Sequence, residues 1–291
     1  HVVCRRQRQM CIRDRNYGSK KGKDEIIAMT SSFHGRTIGA LSVGSNKKYK
    51  SNIGPVPGKV KFCKFNDVSH LKKLVNKKTV AIIIEFVQGD GGINICSKNF
   101  AKAIKGICKN KKILLIGDEI QGGIGRTGKI FAYKHYGVNP DIITSAKGLG
   151  SGIPIGATIV KKYISKIIST GFHGSTFGGG MLQTRVSYNV FRTINNKSFL
   201  NKVLINGNLL SSLIKKMHYL HKDKIVDTRC LGLMAGVEFK NNQIALKTYE
   251  KMSKNGLIST LIQGNIIRLT PPLTVSSGEI RKAIKIITQS L

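Results

Sequence analysis

The sequence predicts an α/β protein, with a mostly parallel sheet between helices and a smaller α/β unit at the C-terminal end. Three observations predict it. Runs such as AIIIEF and KILLIGDEI are almost continuously apolar, as strands covered on both faces must be. Segments of helical period lie between such runs, the alternation that right-handed strand–helix–strand crossovers require. Past the glycines at Gly178–Gly180 the texture changes to longer helical stretches with fewer strands.

In order along the chain, strands are expected at Glu25–Thr30, Lys59–Phe65, Thr79–Phe86, Lys112–Ile120, Asp141–Lys147 and Ile155–Val160. Between the third and fourth, Lys98–Lys109 places Phe100, Ala103, Ile104 and Ile107 on one helical face. Helices follow at Met181–Ile194 and Leu200–Lys216, then strands near Leu233–Phe239 and Ile266–Leu269, and a closing helix at Ser277–Ser290. A large domain over 16–180 and a small one over 181–291 match ordinary domain sizes. The first fifteen residues, HVVCRRQRQMCIRDR, have no hydrophobic period, resemble translated sequencing-adapter sequence, and are expected to be disordered and no part of the fold. A basic arm for nucleic acid is the alternative reading of that stretch.

Composition narrows the class. At 291 residues and 41% hydrophobic, the chain can bury a sizeable core, and no apolar run approaches the roughly 20 residues that span a bilayer. The start lacks a signal-peptide layout, so a cytoplasmic protein with no membrane partner is expected. The net charge of +35 would suit a nucleic-acid binder, yet the lysines are scattered and not gathered in a stripe with aromatics. A solvated basic surface is the preferred reading, with a nucleic-acid-binding protein as the alternative from another class. Six cysteines show no CxxC and no paired spacing; buried, reduced thiols are expected, with neither metal site nor disulfide framework.

The chemistry is expected where the strands end, since ligands of open α/β sheets bind beyond the carboxyl ends. AIIIEFVQGD ends on Glu85, Gln88 and Asp90; KILLIGDEIQ ends on Asp118, Glu119 and Gln121; DIITSAKG ends on Lys147. Burying an ammonium costs free energy or lowers its pKa, and a lysine so placed has the property an amine nucleophile needs. Gly123-Ile-Gly-Arg-Thr-Gly128-Lys129 also matches a GxGxxG dinucleotide pattern and the first part of a phosphate loop. Ile130 stands where such a loop needs Ser or Thr, and Asp118 and Glu119 would repel a polyphosphate. Structural turn glycines are the better reading, with nucleotide binding kept as an alternative.

The same residues carry a family resemblance. AIIIEFVQGDGG, then LLIGDEIQGGIGRTGKIFAYKHYGVNPDIITSAKGLGSGIPIGA, then HGSTFGG, resemble a class III aminotransferase. SFHGRTIGALSVG and KYKSNIGPVPGKVKFCKFND resemble the acetylornithine branch, and the resemblance runs from residue 16 to 291. It implies fold-type I, a cytoplasmic homodimer, and pyridoxal 5′-phosphate. Lys147 would be the Schiff-base lysine that also moves the proton, Asp118 the partner of the pyridine nitrogen, and Gln121 the ligand of the phenolic oxygen. Phe33 would stack on the ring, and Ser175 and Thr176 would bind cofactor, Thr176 at the partner subunit's phosphate. Arg36 and Arg268 would take substrate carboxylates, for which a planar guanidinium fork is suited. Asp90 would be the acidic switch that neutralises Arg268. His34, His135 and His173 would flank the cofactor in packing or hydrogen-bonding roles, and Arg126 and Arg229 would form structural salt bridges.

Against the family pattern, EFVQGDGG replaces EPVQGEGG, which shortens the switch by a methylene. Gly122 replaces Thr, Gly180 and Met181 replace Asn-Pro, and Cys230 replaces Gly. The family's Ser-Gly-Thr-Glu-Ala-Asn type loop, which opens a helix onto the cofactor phosphate, is not found in the sequence. The chain is therefore expected to lack an N-terminal part, to hold cofactor poorly and to be inactive, its longer parent being active. The activity implied is transfer of an amino group from N-acetylornithine to 2-oxoglutarate in arginine biosynthesis. N-succinyl-diaminopimelate, ornithine and 4-aminobutyrate are the alternative donors.

Overall fold

In a computed structural model, residues 22–51, 53–168 and 174–291 are described. The first fifteen residues and His173 lie outside them. The strands of the first half are β1 (Glu25–Met29), β2 (Lys59–Cys63), β3 (Thr79–Ile84), β4 (Val87–Gln88), β5 (Asn94–Ile95), β6 (Leu114–Asp118), β7 (Ile142–Ser145) and β8 (Ala157–Val160). Six of them form one sheet in the order β2-β1-β3-β6-β7-β8. Every neighbouring pair is parallel except β7 with β8. The strand expected at Ile155–Val160 thus returns as an antiparallel edge.

The β1 and β3 strands are buried along their whole length, which is why no polar alternation marks them. Alternate residues face two separate cores. Ile27, Met29, Ile82, Ile84 and Leu115 pack with Phe100, Ala101, Ile104 and Cys108 of a helix. Ile26, Ala28, Ala81, Ile83 and Ile116 pack on the other face with Val43 and Ile164. The helices concerned are α1 (Ile38–Val43), α2 (Val68–Leu74), α3 (Lys98–Lys111) and α4 (Lys162–Ser165). Ser97 caps α3 by accepting from the Phe100 amide, and Lys112, in the left-handed region at φ 50°, stops it. Cys63, Cys96 and Cys108 are buried within this packing, and burial pushes each thiol up to about 12. Among the described residues no cluster could hold a metal ion, and no helix is long and apolar enough to cross a membrane.

The second half contains α5 (Met181–Ile194), α6 (Lys197–Leu220), β9 (Ile225–Leu231), β10 (Met234–Phe239), α7 (Asn242–Lys254), β11 (Thr260–Ile262), β12 (Ile266–Leu269) and α8 (Ser277–Ser290). Its antiparallel sheet runs β11-β12-β10-β9. Val203, Leu210, Ile214, Val237, Ile280 and Ile284 are among the side chains that fill the space between this sheet and α6 and α8. The strands β9 and β11 and the helix α7 were not expected from the sequence. Most of β9 and β11 is only half-buried or exposed, so neither shows the hydrophobic signal that marks the large sheet.

The two halves meet in a cluster of Ile124, Ile130, Phe131, Ile143 and Ile194. Here the Gly123–Lys129 stretch is a turn, not the start of a helix. The amides of Gly123, Gly125, Arg126 and Gly128 donate to Glu119, Ile130, Gly123 and Gly125 carbonyls. A phosphate cradle needs such amides free, so the turn reading stands.

Candidate active site

The strands β6 and β7 lie side by side with Asp118 opposite Thr144, so their carboxyl ends open at one place. Asp118 closes β6 and is buried. One of its oxygens takes the Ile120 amide at 3.1 Å, and the other lies 2.7 Å from His34 Nδ1. His34 is 1% exposed. Burial pulls its imidazolium pKa down, but the hydrogen bond and charge of Asp118 outweigh this and leave it raised. Nothing local in FHGR signals this contact, because the two residues are 84 positions apart.

Lys147 does not end the strand, as expected, but follows it. β7 stops at Ser145, and Lys147 opens a tight 3-10 turn over Lys147–Leu149 with φ 47°. A left-handed residue cannot continue a strand, and the turn swings the side chain out of the sheet's pleat. Lys147 is exposed as a whole residue, against the buried position its place in the sequence suggests, and only its amine is partly buried. That partial burial lowers its pKa, while the Asp90, Asp118 and Glu85 carboxylates oppose the shift.

Lys147 lines a cavity of about 810 Å³ together with Ile120, Gln121, Asn189 and Arg268. A second cavity of about 720 Å³ holds Phe33, Tyr49, Asp90 and again Arg268. Arg268, in β12 opposite Gly236, therefore stands between the two. Its Nη1 donates to Asp90 Oδ1 at 2.6 Å and to Gln121 Oε1 at 3.5 Å, and its buried Nε has no partner. Asp90 is held in turn by Gln263, which donates to its carbonyl at 2.6 Å. Gly89 leaves room for the Gln121 amide where it stands, since a Cβ at position 89 would lie 2.1 Å from Gln121 Oε1 and push that side chain aside.

The other expected residues are less central in this chain. Phe33 packs edge-on against Tyr49 at 5.8 Å, and the exposed Arg36 lies over the same ring at 4.2 Å. Ser175 and Thr176 belong to a turn that lines neither cavity. His135 lies 3.0 Å from the Thr127 carbonyl, and burial lowers its pKa.

Of the two arginines expected in salt bridges, Arg229 pairs with Asp227 and Glu238. Among the described residues Arg126 makes no ion pair. Its Nη1 donates to the Leu233 and Pro271 carbonyls, because the second sheet presents backbone and not carboxylate at that point.

Two buried carboxyls at the strand ends were named without a role. Glu119 accepts the amides of Ala132 and Tyr133 at 2.7 and 2.8 Å, and burial pushes it up to about 8. Glu85 accepts the amides of Phe33 and Gly89, and burial pushes it up to about 7.

An amine of lowered pKa, a side-chain amide and a guanidinium thus line one cleft, and a buried carboxylate hydrogen-bonded to a histidine lies within electrostatic reach of the amine. A pyridine aldehyde fits this donor set: the amine can bond to its carbonyl carbon and the carboxylate can hold a proton on its ring nitrogen.

A family profile described as aminotransferase class-III matches residues 8–291. Ornithine aminotransferase 1 of Staphylococcus saprophyticus is 39% identical over 273 residues, which are 93% of this chain and 68% of that protein. The acetylornithine aminotransferase of Methanocaldococcus jannaschii is 39% identical over 269 residues, 91% of this chain and 66% of that protein. The chain thus spans about two thirds of the length of these curated relatives. Among solved structures, the ornithine aminotransferase of Toxoplasma gondii, with pyridoxal phosphate partially occupying its active site, superposes with a TM-score of 0.90. It is 28% identical and covers 97% of this chain and 68% of its own.

Proposed function

The chain belongs to the class III aminotransferases, a pyridoxal-phosphate-dependent family, and from that premise we propose that its site serves transfer of the δ-amino group of N2-acetyl-L-ornithine to 2-oxoglutarate. The products are N-acetylglutamate 5-semialdehyde and glutamate, a step of arginine biosynthesis. The observation that carries the reading is the Lys147 amine, lowered in pKa in a cleft that it shares with Gln121 and Arg268, within electrostatic reach of Asp118.

When bound, pyridoxal phosphate supplies an electron-withdrawing ring. Asp118, buried and tied to His34, would hold a proton on the ring nitrogen, and Gln121 would donate to the phenolic oxygen. Lys147 would hold the cofactor's carbonyl carbon through its amine and, as a neutral base, would move the proton at the substrate carbon. Phe33 covers one ring face. Arg268 binds the carboxylate of glutamate or 2-oxoglutarate when that substrate displaces Asp90. When the acyl-amino donor enters, Asp90 keeps Arg268 neutralised. Arg36 takes the other carboxylate. Ser175 would bind cofactor, and Thr176 would reach the cofactor phosphate of the second protomer of a homodimer.

A second reading, ornithine as the donor, is favoured by the Staphylococcus relative. N-succinyl-diaminopimelate and 4-aminobutyrate are the remaining donors to compare. The decisive test is reduction of the protein with borohydride in excess pyridoxal phosphate, followed by peptide mapping. The pyridoxyl group is expected on Lys147 and to vanish from that peptide in Lys147→Arg; labelling spread over other lysines would sink the reading. With Lys147 established, kcat/KM across the four amino donors separates the substrates.

A further inference from the structure

Resting on the aminotransferase reading, we propose that Glu85 is a positioning residue whose two carboxylate oxygens hold the ring-facing wall and the carboxylate-binding wall of the cleft in one geometry. Glu85 directly follows β3 and is 3% exposed. Its Oε1 accepts the Phe33 amide at 2.9 Å and its Oε2 accepts the Gly89 amide at 3.4 Å. Each amide sits one residue before a group of the site. Phe33 precedes His34, whose ring meets Asp118. Gly89 precedes Asp90, which meets Arg268, and Gly89 itself packs against Gln121. A single carboxylate therefore sets the backbone on both sides of the cleft. Gln88 adds a parallel tie from the same loop, donating to the Thr30 carbonyl at 2.6 Å.

The chemistry of the side chain speaks against a purely packing role. Glu85 forms no ion pair among the described residues, and burial raises its pKa to about 7. A carboxylate kept in a dry place with no ion pair, favoured in its charged form by the more distant charge of His34, weakens the fold. An apolar side chain would suit packing better. What a carboxylate offers here, and a carboxamide does not, is two acceptors and no donor facing two backbone N–H groups.

Glu85→Gln keeps the shape but turns one acceptor into a donor aimed at an amide. Glu85→Asp keeps both acceptors on a stem one methylene shorter. Pyridoxal phosphate affinity is read by absorbance titration, and 2-oxoglutarate affinity by calorimetry on cofactor-saturated protein. In Glu85→Gln both dissociation constants are expected to rise about tenfold, with Glu85→Asp in between. A folded Glu85→Gln protein that binds both molecules as wild type does overturns the proposal. A loss confined to one of them overturns it too, because the carboxylate would then serve one wall. Should Glu85→Gln fail to fold, Glu85→Asp decides by the same two constants. Wild type that carries pyridoxal phosphate on a lysine other than Lys147 sinks the reading of the site instead, whatever the Glu85 variants do.

Discussion

At the tip of β6 two adjacent carboxyls meet opposite environments. Asp118 meets His34 and lies within electrostatic reach of Lys147, whereas Glu119 gathers the Ala132 and Tyr133 amides that close the loop bearing Gln121. Burial dominates at Glu119 and pushes it from 4.5 up to about 8, although both amides favour its charged form. Between those two values the folded chain keeps a proton that the unfolded chain has released. Stability from this group is therefore full below pH 4.5 and is lost as pH rises to about 8. Glu119→Gln has no such titration. Urea unfolding at pH 5, 6.5 and 8 should show wild type losing more than ~1 kcal/mol relative to Glu119→Gln across the series. A constant difference, or one of opposite sign, would show that Glu119 is ionised throughout.

The elements differ in how much their own sequence dictates them. α8 is specified locally: Ser276 accepts from the Glu279 amide, Glu279 accepts from the Ser276 amide, and Ile280, Ile284 and Ile287 form its buried stripe. Ser276→Ala should cost about 1 kcal/mol in urea unfolding, and no measurable loss would show that tertiary packing alone sets this end. Such self-contained signals explain why Met181–Ile194, Ile266–Leu269 and Ser277–Ser290 are read from sequence with the bounds the structure has. The buried strands β3 and β6 are equally legible, since apolar runs of that length have no other place to go. β9 is not, because its residues from Val226 onward are exposed or half-buried and its place is fixed by pairing with β10. The site follows the same division. Asp118 and Lys147 stand out as charges at the ends of apolar runs. The His34–Asp118 contact and the carbonyl ligands of Arg126 depend on residues 84 to 145 positions apart.

For the molecule as a whole, the cleft lies between two sheets that are tied across it mainly by guanidinium groups. Arg268 reaches Asp90, Arg229 reaches the Gly92 carbonyl and Asn94, and Arg126 reaches back to Leu233 and Pro271. Arg126 is the tie with most at stake. Burial lowers its pKa, and among the described residues no carboxylate pairs with it and two backbone carbonyls answer its charge. One of them, Pro271, is three residues from Arg268 on the same strand-to-loop segment, so the tie also fixes the approach of Arg268 to the cleft. Arg126→Met would keep the apolar contacts of the stem and leave both carbonyls without a donor, at a cost of about 2–4 kcal/mol. Arg126→Lys, a point donor able to satisfy one of the two, should fall between. Urea unfolding checks the stability. Titration with pyridoxal phosphate checks the site, where affinity should weaken in the same order. If Arg126→Met unfolds at the wild-type urea concentration, the halves are held by the Ile124–Ile194 apolar cluster and not by this arginine.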